Sequence, residues 1–261
     1  PPLFFFQAQP GIPLPLWSRG LGVVYKRQAI RSATVIVLAI PSQSIRKLLT
    51  DNRSDFNQDQ LIVNVSKGIE VDTLMTVSEV INDVLGISYN KAVTLSGPSH
   101  AEEVVQKHPT TLVAASSNLE AAQKIQDLFA SDMLRTYRNK DIKGVELGGS
   151  MKNVIAIAAG ICDGIGYGDN SKAALITRGM AEITRLGKKM GGKRETFRGL
   201  SGFGDLIVTC LSKHSRNRQI GQAIGEGRSL KEIISEMSMV AEGIDTAKSV
   251  HQLRLKHNVC L

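Results

Sequence analysis

From about residue 34 to residue 131, short runs of β-branched and aliphatic residues alternate with amphipathic stretches. "TVIVLAI" (34–40) is apolar at every position and reads as a strand buried on both faces, and "PSQSIRKLLT" reads as a helix entered through a proline. "QLIVNVS" (60–66) is the next strand, followed by an amphipathic "DTLMTVSEVINDVLG" closed by Gly86. "KAVTLSG" (91–97) and "TTLVAAS" (110–116) are further strands, with "LEAAQKIQDLFAS" a helix after them. This alternation predicts parallel strands joined by helical crossovers in a doubly wound sheet.

After about residue 142 the β pattern stops. "GVELGGSMKNVIAIAAGICDGIG", "SKAALITRGMAEITRLGKKMGG" and "EGIDTAKSVHQLRLKH" all carry helical spacing broken by glycine-rich turns. The pattern predicts a Rossmann-like α/β domain over residues 1–141 and an all-α domain over residues 142–261. No repeat or low-complexity linker separates them, so they are expected to pack closely. Residues 1–32 stand apart. They hold five of the eight prolines, which suits neither a central parallel strand nor the helix after it.

Composition changes this picture little. Apolar residues make up 42% and charged residues 21%, as in ordinary globular proteins. The net charge of +8 favours anionic partners. With 5% aromatics, and no basic run interleaved with them, small phosphate metabolites are a better match than nucleic acid. Cys162, Cys210 and Cys260 are far apart and form no metal-binding spacing, so no metal is expected and a reducing, cytoplasmic compartment fits best. No apolar run approaches the ~18 residues needed for a membrane span. The opening "PPLFFF" lacks the basic flank of a signal peptide.

Ligands of doubly wound sheets sit beyond the carboxyl ends of the strands. Here those ends are Pro41-Ser42-Gln43, Ser66-Lys67-Gly68 and Gly97-Pro98-Ser99. Each could be an ordinary turn; Lys67, placed after a buried strand and before a glycine, brings an ammonium to the crevice. In the helical half, Asp205 follows a glycine-rich turn at the start of an apolar helix, where it could simply favour the helix N-terminus. Ser215, Arg216 and Asn217 open another helix. They suit either a phosphate site or a serine cap with a solvated basic first turn, and spacing leaves both open. Lys152, in "SMKNVIAIAAG", reads as the head of a buried helix. It is either a lysine reaching back to water or a partly desolvated acid/base group.

These segments together resemble the NAD(P)-dependent glycerol-3-phosphate dehydrogenases over roughly residues 33–261. The motifs are "VLAIPSQ", "VSKGIE", "LSGPSHAEEV", "ELGGSMKNVIAIAAGICDGIGYGDNSKAALITRGMAE", "GLSGFGDLIVTC", "SRNRQIG" and "VAEGIDTA", in the family's order. The resemblance implies hydride transfer between C2 of glycerol 3-phosphate and NAD or NADP, giving dihydroxyacetone phosphate and serving glycerolipid synthesis. It implies that Lys152 exchanges a proton with the C2 oxygen and that Lys67 lies near both substrate and nicotinamide. Gly97, Ser99, Asp205, Ser215, Arg216 and Asn217 are implied as substrate contacts. Ala101, Arg216, Val240 and Glu242 are implied as cofactor contacts. A cytoplasmic homodimer with no nucleic-acid partner, membrane span or metal is the corresponding expectation.

The beginning departs from the family pattern. Family members open with a strand and a G-x-G-x-x-G turn that cradles the cofactor pyrophosphate. Residues 1–32 offer only Gly11, Gly20 and Gly22, while "LPLWSR" (14–19) resembles the end of the family's second strand, with Arg19 beside the adenosine ribose. The first βαβ unit is therefore expected to be atypical or truncated, and the C-terminus clipped. The alternative is a non-catalytic relative that holds phosphorylated ligand or a partner but no dinucleotide.

Overall fold

The computed structural model describes residues 3–7, 19–86, 90–237 and 240–260, with residues 3–7 and 19–25 described by their backbone alone. Six strands form one sheet in chain order: β1 (Leu3–Gln7), β2 (Val35–Ala39), β3 (Leu61–Asn64), β4 (Ala92–Ser96), β5 (Thr110–Ala115) and β6 (Leu134–Asn139). The first four are parallel, with Val37 beside Val63 and Val63 beside Val93. Helices α1 (Arg19–Ser32), α2 (Ser42–Asp51) and α3 (Val77–Leu85) supply the crossovers. Ile36, Leu38 and Ile62 bury one face against Ile45, Leu49 and Ile81, and Val37, Val63 and Val93 bury the other against Ile125 of α5 (Leu119–Phe129). Period-two alternation that is apolar on both faces is why these strands read as continuous runs.

The structure corrects several expectations. Strand β5 runs antiparallel to β4, pairing Thr94 with Ala115. Its connection carries only the five-residue α4 (Ala101–Val105), about 7 Å long, too short to return the chain to the far edge of the sheet. Strand β6 escaped the sequence pattern because its side chains are mostly exposed, with Thr136 the one buried. Residues 70–76 form a turn closed by an Ile69–Thr76 bridge, so α3 starts at Val77, with Thr76 N donating to Glu79 Oε2 at 2.8 Å.

The reading of residues 1–32 is also overturned in part. Leu3–Gln7 pairs in parallel with β2, and Arg19 begins α1 rather than ending a strand. The five prolines of this segment, at 1, 2, 10, 13 and 15, all lie outside the described residues. Residues 8–18, with Gly11 and most of "LPLWSR", are outside the described residues.

The helical half is organised around α6 (Ile142–Ile165), which packs against α7 (Asp169–Lys189), α9 (Asp205–Leu211), α10 (Arg216–Gly225) and α12 (Glu242–Lys256). Two shorter helices, α8 (Arg194–Arg198) and α11 (Leu230–Glu236), complete it. By length and composition α6 could cross a membrane, contrary to the expectation from apolar runs. Yet 67% of its most apolar stretch is buried inside the protein, as befits a core helix. Asp141 caps it, accepting from Gly144 N at 2.9 Å, and its second oxygen accepts from Lys193 N at 2.7 Å ahead of α8.

One buried carboxylate ties α6 to the sheet. Glu146 accepts from Ser78 N (2.9 Å), Ser78 Oγ (2.5 Å) and Thr94 Oγ1 (2.9 Å), reaching α3 and β4 at once. Burial holds its carboxyl above the usual range despite these donors. Replacing it with alanine strands those donors, so Glu146→Ala is expected to destabilise the fold by about 2–5 kcal/mol, read as a lower urea midpoint. An unchanged midpoint would remove Glu146 as the link.

Candidate active site

Lys152 does not open a helix: it lies ten residues into α6, facing α9. Its position explains its burial, since both flanks of α6 are covered. The ammonium donates to Asp205 Oδ1 and to Thr209 Oγ1, each at 2.6 Å. Asp205 is the first residue of α9, entered through a π-type turn over Leu200–Gly204. Its other oxygen accepts from Lys67 Nζ at 2.6 Å, and Lys67 also donates to the Gly97 carbonyl at 3.0 Å. Two lysines from opposite halves of the chain thus share one carboxylate that is 1% exposed.

The turn carrying Lys67 is locally determined. Asn64 Oδ1 accepts from Ser66 N at 2.9 Å and its amide donates back to Ser66 O at 3.1 Å, folding the chain just after β3. Gly97 has φ 152°, and a β-carbon there would come 2.9 Å from the Thr111 carbonyl. Only glycine turns the chain so tightly against β5.

Electrostatics follow from this packing. Burial lowers Lys152 to about 8, with Lys67 pushing the same way and Asp205 opposing. The two ammonium groups hold the Asp205 carboxyl below its ordinary value even though it is desolvated. A neutral Lys152 amine keeps two N–H bonds for its partners and has its lone pair free to take a proton; the ammonium has one N–H to give. The cluster therefore suits reversible proton exchange near neutral pH.

The remaining sequence-predicted residues form a second group. Ser215 Oγ accepts from Arg218 N at 3.2 Å and so caps α10, as the plainer reading had it, which leaves its own O–H free to donate. Asn217 Oδ1 accepts from Gly243 N at 3.1 Å, and Arg216 donates to the Val240 carbonyl at 2.8 Å. Glu242 joins the groups, accepting from Ser42 N at 2.7 Å and Lys67 N at 3.1 Å. Its carboxyl is raised by burial. Ser99 Oγ donates to Gly97 O at 3.2 Å, and Ala101 is exposed at the start of α4.

Two residues went unnoticed in the sequence. Thr209 stands one turn after Asp205, a spacing that places both on one face of α9. His100 lies between Ser99 and Ala101. Its Nε2 is buried without a hydrogen-bond partner among the described residues, and burial beside Lys152 holds its pKa low. Cys210, next to Thr209, is inert core, its thiol pushed up to about 12 by burial.

Comparison with known proteins gives a consistent result. Residues 23–122 match the family profile described as "NAD-dependent glycerol-3-phosphate dehydrogenase N-terminus", and residues 141–261 match its C-terminus counterpart. The chain is 58% identical over 227 residues to a glycerol-3-phosphate dehydrogenase [NAD(P)+] of Chlorobium phaeobacteroides, covering 87% of this chain and 68% of that one. A Bacillus subtilis protein of the same name is 51% identical over 239 residues, covering 91% and 69%. The crystal structure of a Coxiella burnetii glycerol-3-phosphate dehydrogenase superposes with a TM-score of 0.85 at 36% identity, covering 90% of this chain and 71% of that one.

Asp205 is the main influence raising the Lys152 pKa, so Asp205→Asn is expected to drive that pKa below about 8. Titration of the lysine by NMR in the folded variant checks this. An unmoved or raised value would mean the two side chains are not coupled as the geometry shows.

Proposed function

The chain belongs to the NAD-dependent glycerol-3-phosphate dehydrogenase family, and we propose that its proton chemistry is carried by Lys152. It is an NAD(P)-dependent oxidoreductase that interconverts sn-glycerol 3-phosphate and dihydroxyacetone phosphate by hydride transfer at C2. The observation that carries the Lys152 assignment is its buried amine, held by Asp205 and Thr209 and lowered to about 8. In oxidation the neutral amine takes the proton of the C2 hydroxyl; in reduction the ammonium returns it to the forming alkoxide.

Lys67 donates to two oxygens already and keeps a third N–H for the substrate. Two ammoniums against one carboxylate leave a positive crevice for a phosphorylated substrate. Arg216, with the Asn217 amide and the Ser215 hydroxyl, is assigned to the phosphate. Exposed Ala101 and Val240 offer apolar surface, and the Arg216 guanidinium beside Val240 offers positive charge, to a dinucleotide, with Lys67 and Glu242 bonded to each other nearby in the crevice. The nicotinamide supplies the hydride acceptor in oxidation and the donor in reduction. We place the boundary between the cofactor-binding and helical domains at residues 141 and 142, and infer a cytoplasmic homodimer. The three free cysteines support the reducing compartment.

Lys152→Ala is expected to lower kcat by about 10²–10⁴-fold while NAD(P)H binding persists. Because the neutral amine drives oxidation, kcat/KM for glycerol 3-phosphate should rise with pH until about 8 and then level. In the reducing direction it should fall above that pH. An alanine variant within a few-fold of the parent rate would exclude this role. Arg216→Ala should weaken glycerol 3-phosphate by the equivalent of about 1.5–3 kcal/mol and unphosphorylated glycerol far less. Equal losses would indicate a purely structural role at the start of α10.

A further inference from the structure

The C-terminal half of α7 carries a second concentration of charge, apart from the Asp205 cluster. Thr177, Ala181, Thr184 and Lys188 recur at helical spacing and form one stripe along the helix, with Arg185 beside it and Lys189 at its end. The facing wall is α8, which a buried contact holds in place. Phe197 is fully buried against Gly187, where a β-carbon would overlap its ring. That contact leaves Arg194 and Arg198, one turn apart on α8, on the same side as the stripe. The two helices and Phe203 border a groove of about 710 Å³, within the range of small-molecule sites.

The groove is electrostatically one-sided. Arg185, Lys188, Lys189, Arg194 and Arg198 line it, and no carboxylate does. None of the five forms an ion pair among the described residues, although Glu182 and Glu195 stand on the same helices. Arg185 donates to the Cys260 carbonyl, and the other four cations are exposed. Like charges gathered around one groove repel, and an anion entering it relieves that repulsion. Much of the remaining lining is apolar, with Met180, Ala181 and a Phe203 side chain that is 41% exposed. Guanidinium forks suit phosphate oxygens, and an exposed phenyl ring suits a flat heterocycle.

We propose that this groove is a second ligand site, which takes a nucleoside polyphosphate with its phosphates on the α7 and α8 cations and its base on Phe203. A single phosphate leaves most of the positive charge unanswered, whereas a chain of linked phosphates meets cations from both helices. The aromatic ring in the lining favours a ligand with a base over bare polyphosphate. The site is separate from the cofactor crevice, since Lys67, Ala101, Arg216, Val240 and Glu242 do not line it. It also stands independently of the roles assigned to Lys152 and Arg216. Phe203 lies two residues before Asp205 in the π-type turn, so the groove borders the turn that presents the shared carboxylate.

The test is calorimetric titration of the whole chain with ATP, tripolyphosphate and AMP in magnesium-free buffer. ATP is expected to bind, tripolyphosphate more weakly and AMP more weakly still, with ATP affinity falling as salt rises. Lys188→Gln with Lys189→Gln, and separately Arg194→Gln with Arg198→Gln, should each weaken ATP by about tenfold or more. These side chains are exposed, so both double variants should melt close to the parent. If one fails to fold, the other and the parent's salt dependence carry the test. Phe203→Ala should bring ATP down to the affinity of tripolyphosphate, and saturating NADPH should leave ATP bound. Absence of ATP binding at millimolar concentration overturns the proposal, as does ATP binding that the cation substitutions leave unchanged or that NADPH displaces. Equal affinity for ATP and tripolyphosphate, unmoved by Phe203→Ala, overturns it too. So does co-sedimentation with phosphatidylglycerol vesicles in place of ATP binding, which would assign the groove to a lipid surface.

Discussion

A single carboxylate between two ammonium groups governs the arrangement of this protein. Asp205 is withdrawn from water, so it can stay ionised only if cations reach it, and two do, at 2.6 Å each. One comes from the turn after β3 and the other from the middle of α6. The α/β half, α6 and the π-type turn before α9 must therefore converge on one point. The pairing is unbalanced by design of its parts: one negative charge serves two positive ones. The remaining charge makes the crevice attractive to an anion and keeps the Lys152 proton loosely held.

Around this point the fold supplies rigidity in two ways. Glu146 fastens α6 to α3 and β4 through buried donors, which fixes the helix that carries Lys152 relative to the sheet. Glycine contacts then bring α10 and α12 against α6 at backbone distance. Small residues matter here because they let helix axes approach closely enough for the polar groups at their starts to face one another. Glu242 completes the circuit, since its carboxylate binds the backbone of Ser42 and Lys67 across the two halves.

Much of this was legible in the residue pattern because it depends on local periodicity. The buried strands β2 to β4 and helices α2 and α5 follow from runs and spacing within a dozen residues. What failed did so for nonlocal reasons. Strand β6 shows no apolar run because its side chains face water, and it exists through its ladder with β5. The reversal of β5 depends on how far α4 can carry the chain. Leu3–Gln7 forms a strand because β2 offers it an edge, a pairing with residues far along the chain.

The sequence by itself determined the residue types that meet here: Lys67, Lys152 and Asp205 stand in the motifs singled out from the sequence, and Ser215 to Asn217 open a helix whose start suits either an anion or a serine cap. It also determined that α6 is apolar enough to be buried. Tertiary structure alone decided that Lys152 lies within a helix rather than at its head, that Asp205 answers both lysines, and that Thr209 joins them. It also decided that Ser215 and Asn217 spend part of their bonding capacity on capping. These outcomes turn on distances between groups 53 to 138 residues apart in the chain. Residue type sets which interactions are possible, but burial and distance set their strength, and both come from how the helices pack.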